Sequence, residues 1–440
     1  MLQKTRRCVC YALCGLTIAG CASMPDEPGP VWAMNVGGNQ YVAKNGTPFR
    51  SEEYVKGGEI GWQDKVKGTQ DEYIYQSYRE GDVTVAYPVG NGRYDLTLKF
   101  TEPRDYGGGE RVFDVYAEGQ LIIDDLDVMV SRDGKVRSAF TVTIPNIDVS
   151  DGELNIDFEA SAAQPVLNAL VVRRSGSAPL RGELLWSDEF DYEGAPDPAK
   201  WNIDIWPARK VNDEDQTYTA RSKNLRVKDG KLIIEAHKEA FANADYTSAR
   251  VHSAGKGDVL YGRVEVRAKL PRGKGTWPAI WMLPSDPYKY ATTCTPGEDW
   301  QGSSTCNAWP NSGEIDIMEH VGYEMNHVHG TVHNEAYYWA KWEQRKGRII
   351  VDGVADRFHT YALEWSPEEI RIYLDDHLYF IYMNENDGWQ SWPYDHAFNL
   401  ILNVAVGGMW GRSGGGIDDT IFPQRMEVDY VRVYARPDAK

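Results

Sequence analysis

The sequence is poor in cysteine, in basic residues and in long hydrophobic runs. It has 6 Cys in 440 residues, and its 47 Lys and Arg against 65 Asp and Glu give a formal net charge of -18. So acidic a chain disfavours nucleic acid or an anionic membrane face as a partner. Its 42 Gly and 22 Pro are dispersed along the chain, which excludes a long collagen-like or disordered region. What remains is the composition of a globular protein long enough for two or three domains.

The N-terminus carries an export signal. Basic residues precede an apolar run that is too short to span a bilayer as a mature helix, and small residues follow at a cleavage site. This order predicts a secretory signal peptide over residues 1–20. Residues 16–21 (Leu-Thr-Ile-Ala-Gly-Cys) resemble the lipobox of bacterial lipoproteins. The resemblance implies that Cys21 is acylated and becomes the new N-terminus.

A lipid on Cys21 would anchor the protein in the bacterial cell envelope, at the outer membrane, facing the periplasm or the cell surface. Residues 21–30 are rich in proline and cannot hold a helix, so we interpret them as a tether. An ordinary cleaved signal peptide is the alternative.

Three of the six cysteines lie inside the predicted signal peptide, and Cys21 is the predicted lipidation site. Cys294 and Cys306 remain as a pair. In an exported protein such a pair most simply forms one disulfide, here closing a short loop. A metal site is the weaker interpretation, because no His lies between them.

Two segments have the pattern of β domains. Residues 31–174 consist of short apolar alternations, such as 94–100 (Tyr-Asp-Leu-Thr-Leu-Lys-Phe), broken by Gly, Asn and Asp. Residues 175–183 read as a linker, and residues 184–436 are again rich in strand patterns. The second segment holds 13 of the 15 Trp and all 9 His. We therefore expect an all-β protein with its chemistry in the second domain.

An acidic strand is the strongest functional signal. Glu314 and Asp316 are two residues apart, so in a strand they share one face, while the isoleucines beside them face the core. Glu319 has the wrong parity to join them. A β-bulge near Met318, which inserts one extra residue, would bring Glu319 to the same face.

With the bulge, three carboxylates stand in a row. The outer two can approach to about 5–5.5 Å, the separation found in retaining glycosidases. Crowding separates their pKa values, so that one outer Glu stays ionised as a nucleophile and the other stays protonated as a general acid. Asp316 between them can share a proton. A solvated acidic edge and a Ca²⁺ site are the alternatives.

Tryptophans near this strand favour a sugar cleft. Trp277 and Trp281 fall on one face of a strand because they are four positions, an even number, apart. Indoles bury the C–H faces of sugar rings, while the hydroxyls take polar partners. The other tryptophans predicted to line such a groove are Trp309, Trp339, Trp342 and Trp410.

Three histidines alternate in the segment that follows the acidic strand. His327, His329 and His333 share a strand face, but neighbours two apart lie about 6.7 Å from each other, too far for joint zinc ligation without help. We expect His333 to donate a hydrogen bond to sugar or carboxylate in the cleft.

The second domain resembles glycoside hydrolase family 16, particularly its laminarinase-like endo-β-1,3-glucanases. The segments that carry the resemblance occur in family order: residues 186–190, 212–219, 246–250, 277–281, 313–319, 402–408 and 428–434. The resemblance implies a β-jelly-roll sandwich. It also implies that Glu314 is the nucleophile, Asp316 its helper and Glu319 the acid/base.

The same resemblance extends to binding residues. It implies sugar contacts by Asn212, Glu214 and Arg250, in addition to the aromatic groove. Members of the family often hold a structural Ca²⁺ on the convex side. The matching positions here are Gly230, Asp429 and Glu189. No cofactor is expected for catalysis itself.

The first domain resembles a malectin-type carbohydrate-binding module. The resemblance rests on residues 36–38, 74–79, 92–100 and 111–115, which implies a β-sandwich. A ligand Asp of malectin is replaced by Ala163 here, so a sandwich that acts only as a spacer is the alternative.

We therefore predict a lipid-anchored, monomeric, endo-acting β-1,3-glucanase that cleaves laminarin-type glucans with retention and binds no nucleic acid. Within the same fold, a mixed-linkage β-1,3/1,4-glucanase or a galactan hydrolase is the alternative. A non-catalytic glucan-binding protein is the alternative of a different class.

Overall fold

The computed structural model describes residues 29–176 and 181–437. The predicted signal peptide, Cys21, most of the tether and part of the linker lie outside these residues, so their interpretation stays a prediction. Among the helices of the described ranges, none combines the length and the hydrophobicity needed to cross a bilayer.

The first domain contains fourteen strands and two one-turn helices in residues 29–176. They are β1 (Trp32–Asn35), β2 (Tyr41–Val42), β3 (Pro48–Phe49), β4 (Val55–Lys56), β5 (Glu59–Trp62), α1 (Tyr73–Gln76), β6 (Ser77–Glu80), β7 (Thr84–Pro88), β8 (Gly92–Phe100), β9 (Val112–Ala117), β10 (Gln120–Leu126), α2 (Val128–Ser131), β11 (Phe140–Val149), β12 (Glu153–Ala162), β13 (Val166–Leu167) and β14 (Ala169–Arg174).

The second domain contains seventeen strands, two one-turn helices and two 3₁₀ turns (Trp339–Lys341 and Asp419–Ile421) in residues 181–437. They are β15 (Leu184–Asp188), β16 (Asn202–Ile203), β17 (Gln216–Tyr218), β18 (Leu225–Lys228), β19 (Lys231–Phe241), β20 (Ala244–Ser248), β21 (Arg250–His252), β22 (Gly262–Lys269), β23 (Thr276–Pro284), α3 (Ala308–Asn311), β24 (Glu314–Glu319), β25 (His327–His333), β26 (Arg345–Ile350), β27 (His359–Trp365), β28 (Glu369–Leu374), β29 (His377–Met383), β30 (Phe398–Val406), α4 (Gly408–Gly411) and β31 (Gln424–Tyr434).

The first domain is a β-sandwich, as its alternating pattern predicts. In β8 the alternate residues Tyr94, Leu96, Leu98 and Phe100 are fully buried, because a strand points every second side chain to the same face. The sheet β1-β14-β8-β11 contributes to one core together with the sheet β10-β9-β12-β7-β4.

The second domain has the jelly-roll arrangement of two stacked sheets. One follows the order β26-β25-β24-β23-β30-β21-β16, and the other runs through β20-β19-β31-β22-β27-β28-β29. The central strand β30 is buried along its whole length. Its Leu402 and Val404 enter the core between the sheets, whereas Asn403 and Ala405 line a cavity on the open face.

The two domains share a sheet, which the sequence patterns do not predict. Val142 and Thr143 of β11 pair in parallel with Arg348 and Ile349 of β26. Within residues 29–176 and 181–437, this pairing gives one sheet of eleven strands in the order β1-β14-β8-β11-β26-β25-β24-β23-β30-β21-β16.

Cys294 and Cys306 form the predicted disulfide, with their Cα atoms 5.0 Å apart. The bridge closes the loop between β23 and α3. Part of that loop, from Trp300 to Ser304, reaches the cavity.

Candidate active site

A β-bulge in β24 positions the acidic row. Asp316 lies opposite Trp281 of β23, but Met318 lies opposite the next residue of β23, Ile280. Ile317 is therefore an extra residue between them. The pairing of β24 with β25 shifts over the same interval. The bulge predicted near Met318 is confirmed.

The bulge sorts the side chains of β24 between core and cavity. Ile315, Ile317 and Met318 are fully buried in the core of the second domain. Glu314, Asp316 and Glu319 line the cavity on the opposite face. Because two successive residues, 317 and 318, enter the core, Glu319 returns to the face that Glu314 and Asp316 occupy.

The cavity has a volume of about 740 Å³, within the usual range for ligand sites. It crosses the strands of the open sheet, from β21 at one end to β26 at the other. The structure brings all predicted substrate contacts to its wall: Asn212, Glu214, Arg250, Trp277, Trp281, Trp309, His333 and Trp410, and with them Trp339 and Trp342.

Glu314 is held by hydrogen-bond donors. Trp309 Nε1 donates to Glu314 Oε2 at 3.0 Å. Burial is the main cause that raises the pKa of Glu314 to about 8, and the negative charge of Glu319 adds to it. Donation from Trp309, the positive charge of Arg250 and a hydrogen bond with Asp316 act in the opposite direction. These contacts favour the ionised form of Glu314.

Fewer contacts lower the pKa of Glu319 than lower the pKa of Glu314. Trp277 Nε1 donates to Glu319 Oε1 at 3.1 Å. Burial raises the pKa of Glu319 to about 7, against this hydrogen bond and the positive charge of Lys346. A carboxyl with such a pKa is partly protonated at neutral pH, so it can both give and accept a proton there, as a general acid/base requires.

Asp316 connects the row. It is 2% exposed, and burial together with the charges of Glu314 and Glu319 raises its pKa well above the usual value. Near neutral pH the three carboxyls therefore hold two protons and one negative charge. With pKa values of about 8 for Glu314 and about 7 for Glu319, the two coupled carboxyls share this charge, and the donors Trp309 and Asp316 are placed to hold it on Glu314 when Glu314 attacks.

His333 stands beside the row as a neutral imidazole. Its Nε2 lies 3.4 Å from Asp316 Oδ2 and 3.7 Å from Glu314 Oε1. Burial lowers the pKa of His333 to about 3, and the charge of Lys346 adds to this shift. His333 thus contributes hydrogen-bonding capacity without a positive charge. His327 is placed differently, with its Nδ1 2.9 Å from Glu324 Oε1.

One end of the cavity is organised around Arg250. Its guanidinium forms an ion pair with Asp204 at 2.9 Å and lies over the rings of Trp206 and Trp281, 4.4 and 4.8 Å from their centroids. Trp281 is fixed in turn by donation from its Nε1 to Asn403 Oδ1 at 2.7 Å. These contacts hold the indole of Trp281 rigidly in the wall.

Glu214 lies in the same region. Its carboxyl accepts hydrogen bonds from Gln216 at 2.7 Å, from Tyr218 at 3.0 Å and from Asn212 at 3.4 Å. Burial raises the pKa of Glu214 against these donors and the charge of Arg250. Asn212 and Glu214 therefore reach the cavity as a linked pair.

Other residues line the cavity without having been predicted. Asp133 and Lys135 come from the first domain, and Gln344 and Lys346 come from β26 and the turn before it. No local pattern marks Asp133 or Lys135, because they reach the cavity only through the pairing of β11 with β26. Asn403, by contrast, lies inside a segment already identified by resemblance.

The two carboxylates predicted to bind Ca²⁺ are paired with arginines. Glu189 forms an ion pair with Arg432 at 2.7 Å, and Asp429 forms one with Arg267 at 2.5 Å. Guanidinium groups thus occupy one side of both carboxylates, and the Ca²⁺ site at Glu189, Gly230 and Asp429 stays a prediction. In the cavity, ligand atoms of Glu314, Asp316 and His333 lie within 4.8 Å of one another.

A bulged row of three buried carboxylates on the floor of an indole-lined cleft defines a glycoside hydrolase. Comparison with known families agrees with this class. Residues 212–432 match the glycosyl hydrolases family 16 model, and residues 30–176 match the malectin domain. The chain belongs to glycosyl hydrolase family 16, and its first domain is a malectin domain.

Individual relatives match more than half of the chain. A β-glucanase of Rhodothermus marinus is 49% identical over 267 residues, which are 59% of this chain and 87% of that protein. The X-ray structure of the laminarinase from Rhodothermus marinus superposes with a TM-score of 0.52 at 49% identity, covering 57% of this chain and 97% of that one. A keratan-sulfate endo-1,4-β-galactosidase of Sphingobacterium multivorum is 35% identical over 283 residues, 63% of this chain and 60% of that protein.

Proposed function

We propose that the protein is an endo-acting β-1,3-glucanase that hydrolyses laminarin-type glucans with retention of anomeric configuration. The observation that carries the proposal is the bulge at Ile317 and Met318, which places Glu314, Asp316 and Glu319 together on the cavity wall. The similarity to the Rhodothermus marinus laminarinase supports the choice of substrate.

In the first step, Glu314 attacks the anomeric carbon of the sugar. The bond from that carbon to the glycosidic oxygen breaks, and Glu319 transfers its proton to the leaving oxygen. The reducing-end fragment departs as an alcohol, and the other fragment remains as an ester of Glu314. Trp309 and Asp316 hold the attacking carboxylate by their hydrogen bonds.

In the second step, Glu319 acts as a base. It removes a proton from a water molecule, whose oxygen attacks the anomeric carbon and displaces Glu314. Two inversions give net retention. Glu319 regains its proton in this step, and Glu314 regains its negative charge, so the row returns to its starting state.

The walls of the cavity favour a neutral glucan. Rings bury their C–H faces against indoles such as Trp277 and Trp281. Sulfate would require unpaired cations, whereas the charge of Arg250 is matched by Asp204. The Sphingobacterium multivorum relative, named for keratan sulfate, makes galactans the comparison substrate. Product analysis on laminarin, lichenan and a sulfated galactan separates these alternatives.

The decisive variant is Glu314→Gln, which preserves shape and removes the nucleophile. We expect reducing-sugar release from laminarin to fall by about 10³-fold or more, while calorimetry still detects binding of laminaritriose. Glu335→Gln is the matched control, because Glu335 pairs with Lys341 outside the cavity. Near-normal turnover of Glu314→Gln would overturn the assignment. No hydrolysis by the wild-type protein, together with binding, would favour a non-catalytic glucan-binding protein.

The proposal also includes attachment to the cell envelope through a lipid on Cys21. This part rests on the sequence of residues 16–21 and on the basic and apolar stretch before it. An anchored, monomeric glucanase would act on polysaccharide that reaches the bacterial surface or periplasm.

A further inference from the structure

The malectin domain extends into the catalytic cavity. Asp133 and Lys135 lie on the loop between α2 and β11, and both line the cavity that contains Glu314 and Glu319. They stand at the β26 end, opposite the end that Arg250 occupies. Residues of two domains therefore build one continuous wall.

Contacts at the junction of the two domains hold the loop that carries Asp133 and Lys135. Beside the ladder of β11 and β26, Gln70 of the first domain donates to the backbone oxygen of Met383 at 2.9 Å and accepts from its nitrogen at 3.0 Å. Asp95 of the first domain contacts His377 of β29 at 2.8 Å, with both side chains buried. Contacts of this kind make the two domains a single unit with respect to the cavity.

Lys135 is nearly buried yet faces the cavity. Its side chain is 10% exposed, and its Nζ lies 3.8 Å from Asp133 Oδ2, beyond hydrogen-bond distance. Asp133 Oδ2 also lies 3.9 Å from Lys346 Nζ. The three groups alternate in charge, which suits the hydroxyls of a neutral sugar better than a sulfate.

The indole of Trp342 lines the cavity beside Lys135 and Asp133. Lys135 Nζ lies 5.9 Å from its ring centroid, and Trp342 is 52% exposed. Its backbone is left-handed, with φ of 63°. This conformation ends the 3₁₀ turn Trp339–Lys341, where the Trp342 N–H donates to the backbone oxygen of Trp339 at 3.0 Å and fixes the position of the residue.

We propose that Asp133 and Lys135 of the malectin domain form, with Trp342 of the catalytic domain, a composite sugar subsite at the β26 end of the cleft. One neutral glucosyl unit contacts the indole on the side where Lys135 lies, and its hydroxyls receive a hydrogen bond from Lys135 and donate one to Asp133. The inference deepens the proposed glucanase function and rests on it. It gives the malectin domain a direct part in holding the polysaccharide, through a loop rather than through a separate binding site.

The subsite is tested by varying the length of the oligosaccharide substrate. The full chain is assayed as wild type, Lys135→Ala, Trp342→Ala and the double variant, on laminaritriose, longer laminari-oligosaccharides and laminarin. We expect kcat/KM on laminarin and the longest oligosaccharides to fall by about 3- to 10-fold in each single variant, and to stay within about 2-fold on laminaritriose. Because both residues contact one sugar unit, the double variant loses less than the product of the two single losses.

The controls match the two changes. Arg93→Ala removes a positive charge from an exposed ion pair of the malectin domain, and Phe241→Ala removes an exposed aromatic ring from the catalytic domain. Both lie outside the cavity, and both should behave as wild type. Lys135→Met keeps most of the unbranched side chain, removes the donor and repeats the test if Lys135→Ala unfolds at a lower temperature.

Three outcomes would overturn the subsite: equal losses on all chain lengths, no loss on any length, or multiplicative losses in the double variant. The proposed function fails separately, if the wild-type protein does not hydrolyse laminarin. Wild-type hydrolysis combined with length-independent variants would remove only the role of the malectin domain.

Discussion

At the scale of single residues, two tryptophans prepare two glutamates for different tasks. Each indole N–H donates to one carboxyl, Trp309 to Glu314 and Trp277 to Glu319. Glu314 receives a second donor in Asp316, so its anion is favoured. Glu319 has only the one indole donor, and burial raises its pKa to about 7, so it is protonated in part of the molecules at neutral pH. Two donors are thus placed to stabilise the Glu314 anion during attack and one faces Glu319, while burial and the charge of Glu319 keep the pKa of Glu314, about 8, above the pKa of Glu319, about 7.

Trp277→Phe tests this explanation. The change removes a donor that lowers the pKa of Glu319, so that pKa rises above about 7. Activity at alkaline pH is lost when Glu319 gives up its proton, so the alkaline limb of kcat/KM on laminarin should move upward by about half to one pH unit. A full pH profile of wild type and variant measures the shift.

Trp281→Phe is the control for that profile. The Trp281 indole lines the same cavity but donates to Asn403 rather than to a carboxyl of the row. Its alkaline limb should coincide with that of the wild type, even if KM rises. Equal displacement of both profiles, or none in Trp277→Phe, would contradict the role given to the Trp277 hydrogen bond.

At the scale of elements, the bulge in β24 decides the site, and a distant strand supports it. Tyr379 of β29 donates its hydroxyl to the backbone oxygen of Ile317 at 3.1 Å. Gly330 of β25 leaves room for this ring, because a Cβ there would approach Tyr379 to 3.1 Å. The extra residue of the bulge leaves a carbonyl without its ladder partner, and Tyr379 satisfies it.

Tyr379→Phe should weaken the bulge while keeping the packing of the ring. A buried carbonyl loses its donor, which costs about 1–3 kcal/mol of stability, and kcat should fall because Glu319 is less firmly held. Thermal unfolding and kcat on laminarin measure the two effects.

Tyr361→Phe provides the comparison for Tyr379→Phe. The Tyr361 hydroxyl is buried in the same core and has no hydrogen-bond partner among the described residues. Its removal should leave stability unchanged or raise it. If the two variants lose the same stability and activity, Tyr379 does not act through the Ile317 carbonyl.

The same strand shows what sequence can and cannot predict about an element. Period-two alternation predicts which side chains of β8 and β24 are buried, and the wrong parity of Glu319 predicts that a bulge must exist. Sequence does not predict the residue that stabilises the bulge, because Tyr379 lies on β29, with four strands between it and β24 along the chain, and belongs to the opposite sheet. The residue pattern within a strand predicts which of its side chains face the core. The contact between Tyr379 and Ile317 depends instead on how the two sheets stack.

At the scale of the whole molecule, the two domains are more closely joined than the sequence indicates. Composition and motifs predict a β-sandwich and a jelly roll with a linker over residues 175–183. They do not predict that β11 pairs with β26, because parallel pairing of Val142 with Arg348 leaves no signal in either strand. As a result, the catalytic carboxylates could be predicted from sequence, but the cavity wall formed by Asp133 and Lys135 could not.

The buried contact between Asp95 and His377 should make this junction sensitive to pH. Burial lowers the pKa of His377, but the hydrogen bond and charge of Asp95 outweigh it, so the pKa is raised above 6.5. A raised pKa in the folded state means that the contact contributes its full stability below about pH 6.5 and loses it as the pH rises through the folded-state pKa. His377→Asn should therefore lower the Tm of the full chain most near pH 6 and least near pH 9.

His237→Asn serves as the control, because His237 pairs with Glu235 inside the catalytic domain. If the Tm loss of His377→Asn is constant or grows with pH, the protonated His377 does not hold the two domains together.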